Sequence, residues 1–307
     1  MNLHAYLSIA RPDHWFKNVF VLPGAALAFL FATVTVGEAL LNTLTAVACA
    51  CLLASANYII NEWLDAEFDR HHPVKRERPG ARGQLDGRIV LLEYFLFAIP
   101  GLALASTQGT YFQLTAIAFL VMGLVYNVPP IRAKDKPYLD VLSEAVNNPL
   151  RLLLGWLAII PDALPPSSVI LAYWMGGAFL MAVKRYAEYR FIDDGEQAAR
   201  YRASFARYSE EKLLLSAFFY ALCAAFFLGV FLIKYRIEFL LSLPLFAILF
   251  TWYLALGMRP ASPTQTPEKL FRERSFVAYT TLLCLIIAAL FVLDMPALDI
   301  LVDVTRY

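Results

Sequence analysis

Long apolar runs alternate with charged connections along almost the whole chain. Nine runs qualify as helical membrane spans: 18–34, 39–61, 90–106, 109–126, 138–160, 166–184, 212–233, 237–257 and 276–294. A helix rises about 1.5 Å per residue, so ~20 mostly apolar residues cross the ~30 Å hydrocarbon layer. Pro or Gly interrupts several runs, which membrane bundles tolerate because neighbouring helices satisfy the freed backbone groups. Four connections are long and polar, 62–89, 127–137, 185–211 and 258–275; the rest are short. The 185–211 connection is amphipathic and charged, which predicts a helix at the membrane surface. No second soluble domain or low-complexity linker interrupts the series. The pattern predicts an all-α polytopic membrane protein, with nine transmembrane helices forming one integral domain over residues 1–307.

Composition strengthens that reading. Of 307 residues, 60% are hydrophobic and 17% charged, whereas soluble domains are roughly half apolar and a quarter charged. The four cysteines, Cys49, Cys51, Cys223 and Cys284, fall inside apolar runs without disulfide or metal spacing. They read as small buried hydrophobes. The stretch MNLHAYLSIARPDHWFKN has no signal-peptide cleavage pattern, so the first apolar run is expected to stay in the protein. A formal net charge of +1 gives no footprint for nucleic acid. The distribution of charge says more. With alternating spans, 22 of the 26 Lys and Arg residues fall in the N-terminal segment and in the four long connections with their helix ends (Lys184 and Lys212 included); Lys234, Arg236 and Arg306 fall on the opposite side, and Arg151 within a span. By the positive-inside rule the N-terminus and long connections are cytoplasmic, and the C-terminus lies outside a cytoplasmic (inner) membrane.

The second run ends abruptly in acid: Glu62, Asp65, Glu67 and Asp69 lie within eight positions. Helical residues four apart are offset by ~40°, so Asn57, Asn61, Asp65 and Asp69 share one face. Carboxylates with an amide oxygen are hard ligands suited to Mg²⁺, which takes one or two carboxylates together with substrate phosphates. The basic loop RHHPVKRERPGARG follows at once, with Arg70, Lys75, Arg76, Arg78 and Arg82. Acids beside such a loop compose a metal-plus-phosphate site, phosphate being gripped by Arg forks and Lys charges. The plain alternative is a solvated helix end whose acids interleave with positive-inside bases. His71 and His72 are adjacent and point apart, which disfavours zinc ligation.

A second ladder, Asp140, Glu144 and Asn148, sits inside the fifth run with Asn147 and Arg151 beside it. Ionisable groups there face a bundle interior or a wet cavity; an internal Arg151–Glu144 or Arg151–Asn147 bridge is the structural alternative. Tyr126, Arg132 and Lys134 lie just upstream in YNVPPIRAKDK. The sixth run ends in VKRYAEYRFIDD, which supplies Lys184, Arg185, Tyr186 and Glu188, and RPDHWFKN supplies Arg11, Trp15 and Lys17. Both also read as interfacial belts.

These pieces together resemble the UbiA superfamily of intramembrane prenyltransferases. Its first signature, N-D-x-x-D-x-x-x-D, is matched by Asn61, Asp65 and Asp69, with Glu62 in place of the first Asp; Lys75, Arg76, Arg78 and Pro79 match the basic run and RP that follow it. The resemblance implies a nine-helix UbiA-type bundle with a cytoplasmic-side Mg²⁺–diphosphate site above a lipid-facing cavity. One departure matters. Where ordinary members carry a second Asp-rich motif, this chain reads KRYAE, Lys184 to Glu188, with one acid and two new cations. A donor with an additional phosphate, such as the 5-phosphate of phosphoribosyl diphosphate, has a use for them. RPDHWFKN, KRYAE and, less specifically, TPEKLFRERS are similar to the branch that makes polyprenylphosphoryl-5-phosphoribose, the decaprenyl-phosphate phosphoribosyltransferase type.

The resemblance implies roles for named residues. Asn61, Asp65 and Asp69 hold Mg²⁺ and serve catalysis. Lys17, Lys75, Arg76, Arg78, Tyr126, Arg132, Asp140, Arg151, Lys184, Arg185, Tyr186 and Glu188 contact the substrates. The reaction expected is transfer of 5-phosphoribosyl from phosphoribosyl diphosphate to a polyprenyl phosphate whose tail lies in the bilayer. The acceptor is already an anion, so no strong general base is needed, consistent with the lack of a Ser–His–Asp or Cys–His constellation. Other readings stay open: a prenyltransferase moving an isoprenyl chain from its diphosphate to an aromatic or other lipid-soluble acceptor, a membrane terpene cyclase on the same scaffold, and a transporter or lipid flippase. Charges gathered at one face, with few acids deep in the spans, disfavour a transport path.

Overall fold

The computed structural model describes residues 3–235, 237–293, 295 and 297–298, and among these all regular secondary structure is helical. Arg236 and Arg306, read as outer-side charges, and Asp294, read as the end of the last span, lie outside the described residues, as does the C-terminal end itself. In chain order the α-helices are α1 (Leu3–Ile9), α2 (Leu22–Phe31), α3 (Val36–Leu64), α4 (Ala66–Asp69), α5 (Gly87–Ser106), α6 (Thr110–Asn127) and α7 (Leu139–Ala145). They continue as α8 (Asn147–Ile159), α9 (Ser167–Ile192), α10 (Gly195–Tyr201), α11 (Glu210–Tyr235), α12 (Leu243–Gly257) and α13 (Arg274–Val292).

Among the described residues, eight helical stretches are long and apolar enough to cross a membrane. They account for eight of the nine predicted spans. The ninth, 138–160, is two consecutive helices, α7 and α8, which meet at Val146. Pro149 supplies the physical reason. It lacks the N–H that would bond the carbonyl of Ala145, and its ring crowds that carbonyl. The surface helix expected within 185–211 also takes a more segmented form: α9 runs on to Ile192, then come α10 and a 3-10 turn over Ala203–Arg207.

The chain packs as two compact units. The first holds the residues up to Pro165 together with Ile192–Ser209; the second holds Pro166–Phe191 and the residues from Glu210 onward. In the first unit α3 is the central element, packed against α5, α6 and α8. Its start is set by a capping box: Thr35 Oγ1 accepts from the Glu38 N–H (3.3 Å), and Glu38 Oε2 accepts from the Thr35 N–H (3.2 Å). Its buried side is built largely of small residues, Ala46, Cys49, Ala50, Ala54, Ser55 and Ala56. In lipid there is no hydrophobic drive between helices, so such residues matter because they let backbones approach and pack. The closest approach is between α2 and α8. A Cβ at Gly24 would stand 1.9 Å from the Leu152 carbonyl oxygen, and one at Gly155 would stand 1.9 Å from that of Val21. Leu40, Leu41, Leu44, Leu92, Leu96 and Leu114 face outward, as a lipid solvent allows.

In the second unit α9, α12 and α13 are joined by aromatic contacts. Phe179 of α9 stacks on Phe250 of α12, with ring centroids 4.6 Å apart. Tyr279 of α13 donates to the Leu245 carbonyl at 2.9 Å. Leu215, Phe218, Phe219, Leu222 and Phe226 form an exposed apolar stripe on α11.

Candidate active site

The acid stripe survives the end of its helix. α3 stops at Leu64, the Asp65 N–H donates to the Asn61 carbonyl (3.0 Å), and the Asp69 N–H donates to the Asp65 carbonyl (2.8 Å). That register keeps Asp65 and Asp69 on adjacent turns of one face. Both line a single small concavity, with Phe68, Arg132, Lys134, Asp135, Tyr201 and Arg202.

Each acid is engaged by cations. Asp65 Oδ1 accepts from Arg132 Nη2 at 3.0 Å and from Lys134 Nζ, and its Oδ2 accepts from Asn61 Nδ2 at 3.2 Å. Asp69 Oδ2 accepts from Arg78 Nη1 at 2.7 Å. Lys134, almost completely buried, also donates to Asn127 Oδ1 at 2.7 Å. Asn127 is fixed in turn: its Nδ2 donates to the Gly123 carbonyl (2.8 Å) and its Oδ1 accepts from Asn61 Nδ2 (2.5 Å). Asn57, the first rung of the predicted ladder, is occupied elsewhere, donating to the Phe119 carbonyl of α6 at 3.0 Å. Gly123 makes that crossing possible, since a Cβ there would meet Asn57 Oδ1 at 2.0 Å.

The electrostatics follow from this crowding. Burial by itself raises the Asp65 carboxyl, but Lys134, Arg202 and Arg132 outweigh it and hold the pKa below the ordinary carboxylate value. Asp69 goes the other way: burial lifts it, and Arg78 and Lys75 offset only part of the rise. Arg78 is lowered by burial but raised further by Asp69 and Glu62, for a net upward shift. Burial brings Lys134 down to about 8, with Asp65 pulling against it and Arg132 adding to the fall. At neutral pH Asp65 is an anion and Lys134 is largely a cation.

Glu62, in the place of the signature's first Asp, is buried and paired with Arg11 at 2.5 Å. Arg11 (φ 50°) and Arg132 (φ 31°) are both in the left-handed backbone region. Non-glycine residues there cost roughly 1–3 kcal/mol, and both arginines are held by ion pairs, to Glu62 and to Asp65.

The other predicted residues are distributed as follows. Lys75 Nζ donates to the Tyr201 hydroxyl. The Tyr126 hydroxyl donates to Glu144 Oε2 (2.7 Å) and accepts from Arg202 Nη1 (3.3 Å). Lys17 lies 3.0 Å from His14 Nδ1. Arg151 is buried, donating to Asn18 Oδ1 (2.9 Å) and the Asn147 carbonyl (3.3 Å), with its guanidinium 5.0 Å from the centre of the Phe119 ring. Asp140 is completely buried and accepts from Ser204 Oγ (3.1 Å) and the Tyr208 hydroxyl (2.7 Å); it does not line the concavity. Arg76 is exposed beside Glu77 and lines a separate cavity of about 300 Å³ with Arg70, His71 and Arg200. His72 Nδ1 accepts from the N–H groups of Val74 and Lys75, both at 3.1 Å, so it caps the basic loop. The KRYAE residues belong to α9 of the second unit. There Arg185 pairs with Glu188 at 3.2 Å, both buried, and Arg190 donates to the Tyr186 hydroxyl at 3.3 Å. Lys184 is on the same turn of α9.

Sequence reading missed Asn127, Tyr201 and Arg202. Asn127 carried one signal, a polar residue directly after an apolar run. Tyr201 and Arg202 carried none, because only folding of the 192–209 segment into the first unit brings them to the acids.

The donor set suits Mg²⁺ bound with a diphosphate. Two carboxylates on adjacent turns are what Mg²⁺ takes from protein when phosphates supply the rest. Among the described residues no group of three or more His, Cys, Asp or Glu side chains forms a self-sufficient metal cluster.

Residues 21–278 match the UbiA prenyltransferase family. The chain is similar to the decaprenyl-phosphate phosphoribosyltransferase of Mycolicibacterium smegmatis, 30% identical over 212 residues, which are 67% of this chain and 63% of that protein. The protein of the same name from Mycobacterium tuberculosis is 31% identical over 193 residues, 62% of each chain. The nodulation protein NoeC of Azorhizobium caulinodans is 30% identical over 189 residues, 60% of this chain and 57% of its own. The chain thus matches less than two thirds of the length of these relatives. Among solved structures, a UbiA homolog from Archaeoglobus fulgidus bound to GPP and Mg²⁺ superposes with a TM-score of 0.67 at 23% identity, over 91% of this chain and 99% of that one. The same homolog bound to DMAPP and Mg²⁺ gives 0.66 at 22%, over 91% and 98%. With eight membrane-length helices among the described residues, an acid stripe among basic residues and a family match over most of its length, this chain belongs to the UbiA prenyltransferase family and is a multi-pass membrane protein.

Proposed function

We propose that this protein is a Mg²⁺-dependent transferase that moves 5-phosphoribosyl from phosphoribosyl diphosphate to a polyprenyl phosphate. The site faces the cytoplasm, the N-terminus and long connections lie on that side of the inner membrane, and both units serve this one transferase domain. The observation that carries the reading is the concavity shared by Asp65 and Asp69 and rimmed by Arg132, Lys134 and Arg202. A charged diphosphate finds cations there, and a divalent ion finds hard oxygens. Similarity to the phosphoribosyltransferases supports the choice of donor.

Asp65 and Asp69 hold the metal, and Asn61 positions Asp65 through its amide. Bound Mg²⁺ neutralises charge that builds on the leaving diphosphate. Arg132, Lys134 and Arg202 take phosphate oxygens at the concavity, with Arg78 and Lys75 behind Asp69. Lys184 and Arg185, with Tyr186 and Glu188, are assigned to the 5-phosphate; Lys17 and Arg76 are assigned to substrate phosphates at the periphery. Asp140 and Arg151 support the site from buried positions. The bond from C1 of the ribose to the diphosphate breaks, the electron pair leaving on the diphosphate, and an oxygen of the acceptor phosphate forms the new bond to C1. No proton has to be abstracted from that anionic oxygen.

The test is incubation of detergent-purified protein with Mg²⁺, labelled phosphoribosyl diphosphate and a polyprenyl phosphate. Labelled lipid is expected. A second reading, isoprenyl transfer from a diphosphate to a lipid-soluble acceptor, is favoured by the DMAPP- and GPP-bound state of the solved homolog. It predicts no labelled lipid, and consumption of an isoprenyl diphosphate instead.

A further inference from the structure

We propose that Lys134 is a placeholder cation on Asp65, so that the divalent ion and the diphosphate enter the site only together. The inference rests on the metal–diphosphate reading above and adds an order of loading to it.

Two carboxylates, Asp65 and Asp69, are in direct contact with three cations, Lys134, Arg132 and Arg78. With Asp135 paired to Arg132 and Arg202 at the rim counted in, a divalent ion arriving alone meets four cations against three carboxylates, and Asp65 Oδ1 is already bonded to the Lys134 ammonium. A diphosphate alters that balance. It gives the three cations new acceptors, and the carboxylate oxygens they leave become available to the metal. An acid pair without contact cations would bind the ion by itself; this one is neutralised in advance.

Lys134 is the element of the set most suited to move. Arg132 is held from several sides: Nη1 donates to the Asn127 carbonyl (3.0 Å), Nε lies 2.9 Å from Asp135, and the guanidinium is 4.6 Å from the centre of the Phe68 ring. Arg78 acts on Asp69 alone of the two acids. Lys134 is a point charge on a four-carbon stem, bonded to Asp65 Oδ1 and Asn127 Oδ1. Asn127 keeps one acceptor for it throughout, so the ammonium can exchange carboxylate for phosphate without leaving its buried seat.

The experiment measures Mn²⁺ binding to the full-length protein in detergent by electron paramagnetic resonance, with and without inorganic diphosphate. Wild type is expected to bind Mn²⁺ at least about tenfold more tightly with diphosphate, the low end for close charge pairs. Lys134→Met is expected to tighten binding of Mn²⁺ alone by about the same factor and to remove most of the coupling, while Lys134→Arg keeps it. Unchanged Mn²⁺ affinity in Lys134→Met, with coupling retained, overturns the proposal. If Lys134→Met does not fold, Lys134→Gln is read the same way. Equal wild-type affinity with and without diphosphate overturns it with no variant at all, yet leaves the metal site standing. Absence of Mn²⁺ binding under both conditions removes the metal–diphosphate reading itself.

Discussion

Two ladders of acids and amides, both spaced four residues apart, meet different fates in this protein. The first, Asn61–Asp65–Asp69, passes from α3 into α4 without losing register, and its two carboxylates open on one concavity. The second, Asp140–Glu144–Asn148, is cut at Val146. Asp140 turns inward to Ser204 and Tyr208, and Glu144 meets Tyr126. Spacing says which residues share a helical face and nothing about where that face looks. The partners differ in kind as well. Cations collect on Asp65 and Asp69, and a ligand can draw them away. Asp140 instead accepts from the hydroxyl groups of Ser204 and Tyr208, which tie the 192–209 segment down, a contact that a ligand gains nothing by breaking.

Substitutions should separate the two ladders. The largest effect is expected from Asp65→Ala or Asp69→Ala: a fall in turnover of about 10³-fold or more, with the helical circular dichroism retained, because on the proposed reading each removes a metal ligand. Turnover close to wild type in either variant would erase the distinction between the ladders. Asp140→Asn should instead act on stability. It weakens two hydrogen bonds to a buried charge, worth roughly 1.5–3 kcal/mol each, so the melting temperature should drop while turnover per folded molecule stays within about twofold. A lost donor affinity without a lower melting point would return Asp140 to the substrate-binding set.

Smaller effects test the cations. The Lys134 ammonium, held down to about 8 by burial, loses its charge as pH rises through that value. The ammonium is lost on the alkaline side, and its lowered pKa brings that loss closer to neutral pH. The coupling between metal and diphosphate should therefore shrink above about pH 8, by no more than about tenfold per pH unit, and Lys134→Arg should carry it to higher pH. Calorimetric titration of diphosphate at several pH values, with and without Mn²⁺, reads this directly. Tyr126→Phe removes a hydroxyl that joins Glu144 of the second ladder to Arg202 of the concavity. The loss of such a bond, about 0.5–1.5 kcal/mol, should raise the donor KM a few-fold and leave kcat nearly unchanged.

Much of the site is legible in the sequence. The acids at 65 and 69 stood at the end of an apolar run, where charge needs a reason, and Lys75 and Arg78 followed in the adjoining loop. Arg132 and Lys134 were visible as bases, but not as the partners of Asp65, which lies more than sixty residues earlier in the chain. Glu62 stands in the place of the signature's first Asp and is held by Arg11, a pairing that its position in the sequence did not announce. In KRYAE, Glu188 is paired with Arg185 three residues earlier in the helix.

The sequence alone determined that the chain is helical, that it crosses a membrane many times, and that one helix ends in a stripe of hard oxygens beside bases. These features rest on local quantities: the length of apolar runs set against bilayer thickness, and the 3.6-residue period of the helix. Tertiary structure alone decided which cation sits on which acid, that Tyr201 and Arg202 complete the concavity, and that Asp140 is enclosed. Those outcomes depend on contacts between distant segments, and on a helix break whose consequence lies in the direction each half then takes. Neither is a property of any window of residues.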